Sequence, residues 1–220
     1  METGSFNQFL AQADSNYINE IFKWTVSLTL FGLWLALFKL ELSGWRNMGD
    51  DKITKVCKSI HISGQNAVTS KNLRKNGITC VVDAREAGTV PSNAVRQLIR
   101  LPMRDDRLTS IIDHFEPLNQ QLHDLVISES KSGSDCQILF LCAMGRSRSV
   151  SLCLAFLMFH DGLSLWDAYC LVQSKRPQIC PNPGFVRQLI EYERRLTGQI
   201  TATLKPDGTM GKYEDDESAD

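Results

Sequence analysis

The sequence lacks the patterns that mark several classes of protein. Its seven cysteines are odd in number and have no paired metal-ligand spacing, which argues against a disulfide framework and against a zinc site. There is no glycine-rich nucleotide loop, no internal repeat and no stripe of basic and aromatic residues of the kind that binds nucleic acid. We therefore expect a protein of a reducing compartment that needs no cofactor or metal and does not bind nucleic acid.

Long uncharged runs are also scarce, and the longest lies between Lys23 and Lys39. As a helix, residues 24–38 would span about 22 Å, which is short of a hydrocarbon core of about 30 Å. If the flanking apolar residues are added and both lysines extend toward the headgroups, the segment 22–42 is long enough to cross a membrane. The alternative is a helix or strand packed on the following domain, because apolar and polar residues alternate in the first half of the run.

Charge and composition suggest how the chain is divided. Residues 1–20 are acidic and contain no arginine, which argues against a transit peptide and a secretory signal. Positive residues are more frequent after the segment 22–42 than before it, so a spanning segment would leave the following domain facing the cytoplasm. We expect an N-terminal extension over 1–50 that associates with a membrane, a domain over 51–200, and a disordered acidic tail over 201–220.

The stretch from Gln137 to Phe159 has the pattern of a strand, a loop and a helix. Residues 138–141 form a short continuous apolar run, typical of a strand covered on both faces, and Cys142 follows it directly. Residues 143–149 are small, flexible or cationic, and the residues after them are almost all apolar. The backbone N–H groups of such a loop, together with the amino end of the next helix, can surround an anion.

This arrangement suits the attack of a thiolate on a phosphate ester. Cys142 would lie at the floor of the loop, where N–H donors and the helix dipole stabilise a thiolate. Arg148 follows with a planar guanidinium that can hold two oxygens of a tetrahedral phosphate. Ser149 is placed to donate a hydrogen bond to the sulfur when it leaves. The candidate phosphate-binding residues are Ala143, Met144, Gly145, Arg146, Ser147 and Arg148.

The same cysteine-to-arginine spacing recurs at Cys170 and Arg176, without a glycine or a preceding strand. Apolar residues around Cys170 repeat like one side of a helix, so we expect this cysteine in the core. The first instance, Cys142 to Ser149, resembles the phosphate-binding loop of the cysteine-dependent protein phosphatases, specifically the dual-specificity branch. The resemblance covers residues 53–196 and includes the Arg-Pro and Pro-Asn-x-Gly-Phe sequences of the carboxyl-terminal helices.

This resemblance implies a small, atypical dual-specificity phosphatase with an α/β fold. The expected architecture is a single phosphatase domain with a central, mostly parallel sheet flanked by helices, preceded by the N-terminal hydrophobic segment. The resemblance also implies a phosphorylated protein substrate, with phosphotyrosine and phosphoserine or phosphothreonine hydrolysed through a cysteinyl-phosphate. The family's general acid lies in the segment that corresponds to residues 101–106, which selects Asp105 and leaves Asp106 as the alternative.

One residue departs from the family pattern. The family usually has histidine immediately before the nucleophile, and this chain has Leu141. The resemblance implies that this histidine helps to hold the loop and keep the thiolate stable, so with leucine in its place we expect weaker activity or an optimum at higher pH. The departure leaves open a pseudophosphatase or scaffold that binds phosphoproteins without turnover. Arg146, an added cation in the loop, leaves open a lipid or RNA phosphatase.

The rest of the sequence predicts strands alternating with helices, the pattern of a mostly parallel sheet that binds ligands at the carboxyl ends of its strands. Residues 53–62 alternate between apolar and polar and predict an edge strand. Buried or partly buried strands are predicted over 78–82 and 95–103, and a helix with one apolar side over 110–128.

Overall fold

The computed structural model describes residues 52–214 of the chain. The strands in this part are β1 (Thr54–Lys55), β2 (Ile60–Ser63), β3 (Cys80–Asp83), β4 (Gln97–Arg100), β5 (Ile138–Leu141), β6 (Ala202–Leu204) and β7 (Met210–Lys212). The α-helices are α1 (Ser70–Lys75), α2 (Ile112–Lys131), α3 (Arg148–Asp161), α4 (Leu165–Lys175) and α5 (Pro183–Thr197).

Strands β1 to β5 form one sheet in the order β1-β2-β5-β3-β4. Strands β2, β5, β3 and β4 are parallel to their neighbours, and β1 pairs with β2 in the antiparallel direction. This confirms the predicted α/β fold with a mostly parallel sheet. Leu141 at the end of β5 is in register with Ser63 and Asp83 at the ends of β2 and β3, so three strands end together where Cys142 begins the loop.

Both faces of β5 are covered, which explains its uninterrupted apolar sequence. Ile138 and Phe140 belong to the larger apolar cluster, which includes side chains of α2, α3, α4 and α5. Leu139 and Leu141 belong to a smaller cluster that includes Leu73 of α1. Helix α3 lies at the centre of the larger cluster, and its residues 149–157 are all buried. The helix that follows the reactive loop is therefore held by packing along most of its length.

The prediction of one edge strand over residues 53–62 is wrong. The chain reverses between β1 and β2, and β2 pairs with β5 on its other side, so the edge of the sheet is β1. The alternation that suggested a half-exposed strand comes from β2 being buried on both faces, where even His61 and Ser63 are covered. A polar residue in a two-sided core produces the same pattern as a polar residue facing water.

The expectation of a disordered tail is corrected for residues 201–214. Strands β6 and β7 form an antiparallel hairpin, and Ala202 and Met210 are buried in the larger apolar cluster. The carboxylate of Glu193 on α5, only 1% exposed, accepts hydrogen bonds from the Thr201 N–H at 2.9 Å and hydroxyl at 2.6 Å. The polar composition of the segment concealed the few apolar residues that attach it to α5.

Three predicted features lie outside the described residues. They are the extension 1–50, its proposed membrane segment 22–42, and the end of the tail, 215–220. Within residues 52–214, no helix has both the length and the apolar character needed to cross a membrane.

Candidate active site

The loop between β5 and α3 places a cysteine sulfur among hydrogen-bond donors. Cys142 follows the last residue of β5 and is 1% exposed. The backbone N–H of Gly145 donates to the Cys142 sulfur at 3.2 Å, and the Ser149 hydroxyl oxygen lies 3.1 Å from the same atom. Both contacts stabilise negative charge on sulfur when their protons point toward it. The predicted contact between Ser149 and the Cys142 sulfur is therefore present.

The loop can take this path only because two positions are glycine. Gly145 has a φ of +66°, and a Cβ there would lie 2.5 Å from the carbonyl carbon of Ser63. On the facing strand end, a Cβ at Gly64 would lie 3.1 Å from the carbonyl of Met144. The loop therefore rests directly on the backbone at the end of β2, and this contact fixes its height above the sheet.

Arg176 supports the loop from below. Its side chain is 1% exposed, and its guanidinium donates to the carbonyl oxygens of Gly145 at 2.7 Å and Met144 at 3.3 Å. A third bond reaches the Thr54 hydroxyl at 2.9 Å. By holding these carbonyl oxygens, Arg176 leaves the opposite side of the loop to its N–H groups. The sequence pattern around Arg176 does not predict this role, because the carbonyl groups it holds lie about 30 positions away in the chain.

Cys170, which precedes Arg176 by the same spacing as Cys142 precedes Arg148, is exposed on α4. The prediction that it belongs to the core is wrong. The buried side of α4 is formed by Leu165, Ala168, Tyr169 and Val172, and Cys170 lies outside that stripe.

Arg148 is the first residue of α3 and is 9% exposed. Its Nη1 donates to the carbonyl oxygens of Met103 at 3.0 Å and Ala84 at 3.3 Å, which fixes the guanidinium at the carboxyl edge of the sheet. Its Nε lies 3.4 Å from the Asp105 Oδ2, close enough for an ion pair but not aligned as a hydrogen bond. The predicted phosphate-holding arginine and the predicted acid thus face each other.

Asp105 is hydrogen-bonded both to the loop after Cys142 and to Asn182, the residue that caps the start of α5. Its Oδ1 accepts hydrogen bonds from the Ser147 hydroxyl at 2.6 Å and from the Asn182 Nδ2 at 2.8 Å. The side chain is 33% exposed, so water and substrate can reach it. The carboxyl group is therefore already turned toward the loop, although it comes from a separate part of the chain.

Asp106, the alternative acid, has a different position. Its Oδ1 accepts hydrogen bonds from the Leu108 N–H at 2.9 Å and from the N–H and hydroxyl of Thr109 at 2.8 and 3.0 Å. These hydrogen bonds, the one from Leu108 first, lower the pKa of the Asp106 carboxyl. Asp106 shapes the turn after Asp105 and does not line the cavity that contains Cys142.

Helix α5 holds the rest of the segment that carries Asp105. A Cβ at Gly184 would collide with the backbone of Arg107, so the first turn of α5 touches this segment directly. Further along, the Gln188 side-chain oxygen accepts from the N–H groups of Ile111 and Ile112, and its nitrogen donates to the Thr109 carbonyl at 2.9 Å. Sequence reasoning did not identify Gln188, because its partners lie almost 80 positions away in the chain.

These groups surround one cavity of about 550 Å³. Of the six predicted phosphate-binding residues, all but Gly145 line it, and Gly145 instead directs its N–H at the sulfur. Arg146 is fixed there by a hydrogen bond from its Nε to the Gln178 carbonyl at 2.8 Å. Among residues 52–214, no three His, Cys, Asp or Glu side chains are grouped as a metal site. The lining residues are Asp105, Arg107, Cys142, Ala143, Met144, Arg146, Ser147, Arg148, Cys180, Pro181, Asn182, Pro183, Asp207, Gly208 and Thr209.

Leu141 lies beneath this cavity in the smaller apolar cluster and is fully buried. Its neighbours in register are Ser63, whose hydroxyl has no hydrogen-bond partner within the described residues, and Asp83. The Asp83 carboxylate pairs with Arg85 through two bonds of 2.9 Å. Polar residues on the two neighbouring strands therefore flank the apolar residue immediately before Cys142.

His61 lies on β2 two residues before Ser63, further from the cavity, and is 2% exposed. Burial, with a smaller effect from the charge of Lys55, lowers the pKa of His61 to about 4. The imidazole is therefore neutral near pH 7.

Comparison with known proteins identifies the family. Residues 60–195 match the family model of the dual specificity phosphatase catalytic domain. Human dual specificity protein phosphatase 18 is 34% identical over 153 residues, which cover 69% of this chain and 78% of the relative. Human dual specificity phosphatase 28 is 36% identical over 156 residues, which cover 70% and 85%.

Solved structures of dual specificity phosphatases also match this chain. The crystal structure of human dual specificity phosphatase 28 superposes with a TM-score of 0.57 at 32% identity, covering 66% of this chain and 94% of that chain. A mouse putative dual specificity phosphatase complexed with zinc tungstate gives a TM-score of 0.58 at 32% identity, covering 68% and 91%. The chain belongs to the dual specificity phosphatase family. It is a protein phosphatase, a hydrolase of the cysteine-dependent protein tyrosine phosphatase superfamily.

Proposed function

We propose that Cys142, Arg148, Asp105 and Ser149 hydrolyse phosphate monoesters on protein side chains in two steps. The observation that carries this proposal is the meeting of two separate chain segments, residues 142–149 and the segment of Asp105, at one cavity. Cys142 lies 3.1 Å from Ser149, and Arg148 lies 3.4 Å from Asp105. A nucleophile, an anion-binding group and a carboxyl group that line one cavity are what phosphoryl transfer to sulfur requires.

In the first step, the Cys142 thiolate attacks phosphorus and forms the sulfur–phosphorus bond as the bond to the substrate oxygen breaks. Arg148 and the N–H groups of the loop hold the phosphate oxygens and stabilise the charge of the transition state. Asp105 gives its proton to the departing oxygen, so that an alcohol or phenol leaves instead of an alkoxide or phenoxide. The product of this step is a cysteinyl-phosphate.

In the second step, Asp105 is ionised and acts as the base. It removes a proton from a water molecule that attacks the phosphorus of the cysteinyl-phosphate. The phosphorus–sulfur bond breaks and inorganic phosphate leaves. Ser149 donates a hydrogen bond to the returning thiolate, which explains why its hydroxyl belongs against the sulfur.

Catalysis is favoured over phosphoprotein binding without turnover by the position of Asp105. A protein that only binds phosphate has no need for a carboxylate beside the bound anion, because the two repel each other. The arginine, the serine and the mouse relative's complex with tungstate, a tetrahedral oxyanion, support an oxyanion site. Leu141 is the one residue on the side of the binder, and it alters the surroundings of the sulfur without removing a reacting group.

The test is hydrolysis of a small aryl phosphate and of a phosphotyrosine or phosphothreonine peptide by the full chain, from about pH 5 to about pH 9. Cys142→Ser should abolish turnover. Asp105→Asn should lower kcat by roughly 10²–10⁴-fold for the phosphothreonine peptide, because the alkoxide that leaves from this substrate most needs a proton. Asp106→Asn is the matched control, and its kcat should fall far less than that of Asp105→Asn. If the folded, reduced protein is no faster than Cys142→Ser, catalysis is refuted, and binding without turnover takes its place.

We also propose that residues 22–42 hold the enzyme at a membrane, with the phosphatase domain on the cytoplasmic side. The uncharged run and the excess of lysine and arginine after it support this assignment.

A further inference from the structure

The turn between β6 and β7 forms part of the wall of the catalytic cavity. Asp207, Gly208 and Thr209 line the same space as Cys142 and Arg148. This turn lies beyond residue 195, where the match to the family model ends. A cavity of about 550 Å³ has room for more than a phosphate group. The cavity therefore has space for residues next to the phosphorylated side chain of a protein substrate to lie against this turn.

The turn is held firmly enough to act as a wall. Gly208 has a φ of +84°, and a Cβ there would lie 3.1 Å from the Pro183 ring at the start of α5. Asp207 Oδ1 accepts hydrogen bonds from the Thr209 N–H at 2.8 Å and hydroxyl at 2.7 Å. The backbone closes with bonds of 2.9 Å between Lys205 and the residues at the turn. The Asp207 carboxylate is therefore fixed beside the cavity by its own turn.

The charges around the cavity give Asp207 a distinct role. The lining contains three arginines and two aspartates. Arg148 faces Asp105, and Arg146 belongs to the phosphate-binding loop itself, so both serve the dianionic phosphate and the thiolate. Of the two aspartates in the lining, Asp105 is paired with Arg148, and Asp207 is the other. The hydrogen bonds from Thr209 lower the pKa of the Asp207 carboxyl and keep it ionised.

We propose that Asp207 determines substrate specificity by selecting phosphoprotein segments with a lysine or arginine close to the phosphorylated residue. The same carboxylate repels segments that carry an acidic side chain or a second phosphate at that place. This inference rests on the proposed function of the cavity and names the class of protein substrate it takes. It also disfavours the lipid and RNA phosphates that Arg146 alone would suit.

The test uses the full chain and a series of phosphotyrosine peptides with Lys, Ala or Glu at each of the two positions on either side of the phosphotyrosine. The readout is the ratio of kcat/KM for the Lys peptide to that for the Glu peptide, measured within each variant. At one or more positions Asp207→Asn should lower this ratio roughly two- to fivefold, the range of an exposed ion pair. Asp207→Lys should invert it, and Arg107→Gln should raise it, because that change removes a positive charge from the same lining.

A control and a second measurement separate this inference from the proposed function. Asp124→Asn removes an exposed carboxylate on α2 and should leave the ratio unchanged. Affinities of the Cys142→Ser variant for the same peptides report the selection even without turnover. If wild-type enzyme hydrolyses the peptides and Asp207→Asn has the wild-type ratio, the role of Asp207 is refuted while the phosphatase assignment stands. If Cys142→Ser is as active as wild type but still prefers the Lys peptides, only the proposed mechanism fails.

Discussion

Replacing Arg176 with methionine should loosen the phosphate-binding loop and destabilise the domain. Methionine keeps an apolar stem but has no donor, so the carbonyl groups of Gly145 and Met144 lose a charged partner. A hydrogen bond from a charged group contributes about 1.5–3 kcal/mol, and the bond to Met144 is long. We therefore expect a loss of roughly 3 kcal/mol in the free energy of unfolding.

Urea unfolding measures this loss. With a slope of about 2 kcal/mol per molar urea, typical of a domain of this size, the midpoint should fall by roughly 1.5 M. Arg194→Met is the matched control, because Arg194 is 60% exposed and pairs with Glu191 on the surface of α5. An exposed ion pair contributes about 0–1 kcal/mol, so the control should shift by less than about 0.5 M.

Activity provides an independent check on the same reasoning. The Gly145 carbonyl held by Arg176 belongs to the residue whose N–H points at the Cys142 sulfur. A loosened loop should therefore lower kcat more than it raises KM. Arg176→Lys, which keeps the charge but not the planar fork, should fall between wild type and Arg176→Met. The reasoning is refuted if Arg176→Met unfolds at the same urea concentration as Arg194→Met.

Three further changes test other parts of the chain. Leu141→His should raise kcat on an aryl phosphate by about tenfold, or ~1.4 kcal/mol, because the Ser63 hydroxyl, which has no hydrogen-bond partner among residues 52–214, can fix an imidazole beside the loop. A folded variant with unchanged kcat would count against this. His61, with a pKa of about 4, is neutral in the folded state and protonated below about pH 6.5 in the unfolded state, so the unfolded state binds more protons between these values. Stability should therefore fall as pH drops through this window, by about 3 kcal/mol at its lower end, and His61→Phe should show a smaller loss between about pH 7 and about pH 5 in urea unfolding. Leu33→Arg places a charge in the middle of the segment 22–42 and should release the protein from membranes into the alkaline carbonate supernatant, whereas equal retention of both proteins in the pellet would contradict the anchor.

Local sequence was sufficient to predict the strand, loop and helix around Cys142. The apolar run of β5, the glycine at 145 and the arginine at 148 are adjacent in the chain, and each has a short-range physical requirement. The sequence also placed Asp105 correctly at the cavity, but only because the resemblance supplied the distance from a strand. From the residues alone, Asp105 and Asp106 were equivalent. They differ in the partners of their carboxylates, which are the side chains of Ser147 and Asn182 for Asp105 and the N–H groups of Leu108 and Thr109 for Asp106.

The supporting residues were beyond reach of sequence patterns because their partners are distant. Arg176 contacts the loop from about 30 positions away, and Gln188 contacts the Asp105 segment from almost 80. Neither residue has a local signature that separates it from an ordinary surface side chain. Only the packing of α4 and α5 against α3 determines that both are directed inward.

Glu193 explains why the catalytic domain extends beyond residue 200. Its buried carboxylate has three donors, the Leu165 N–H at 2.7 Å and the N–H and hydroxyl of Thr201 at 2.9 and 2.6 Å. A chain ending at residue 200 would lose the two donors of Thr201, so the buried Glu193 carboxylate would keep only the hydrogen bond from the Leu165 N–H. The same truncation would remove Ala202 and Met210 and expose the part of the larger apolar cluster that they cover. It would also remove the turn beside the cavity. The hairpin therefore belongs to the folding unit, and the acidic residues that follow it begin only at Glu214.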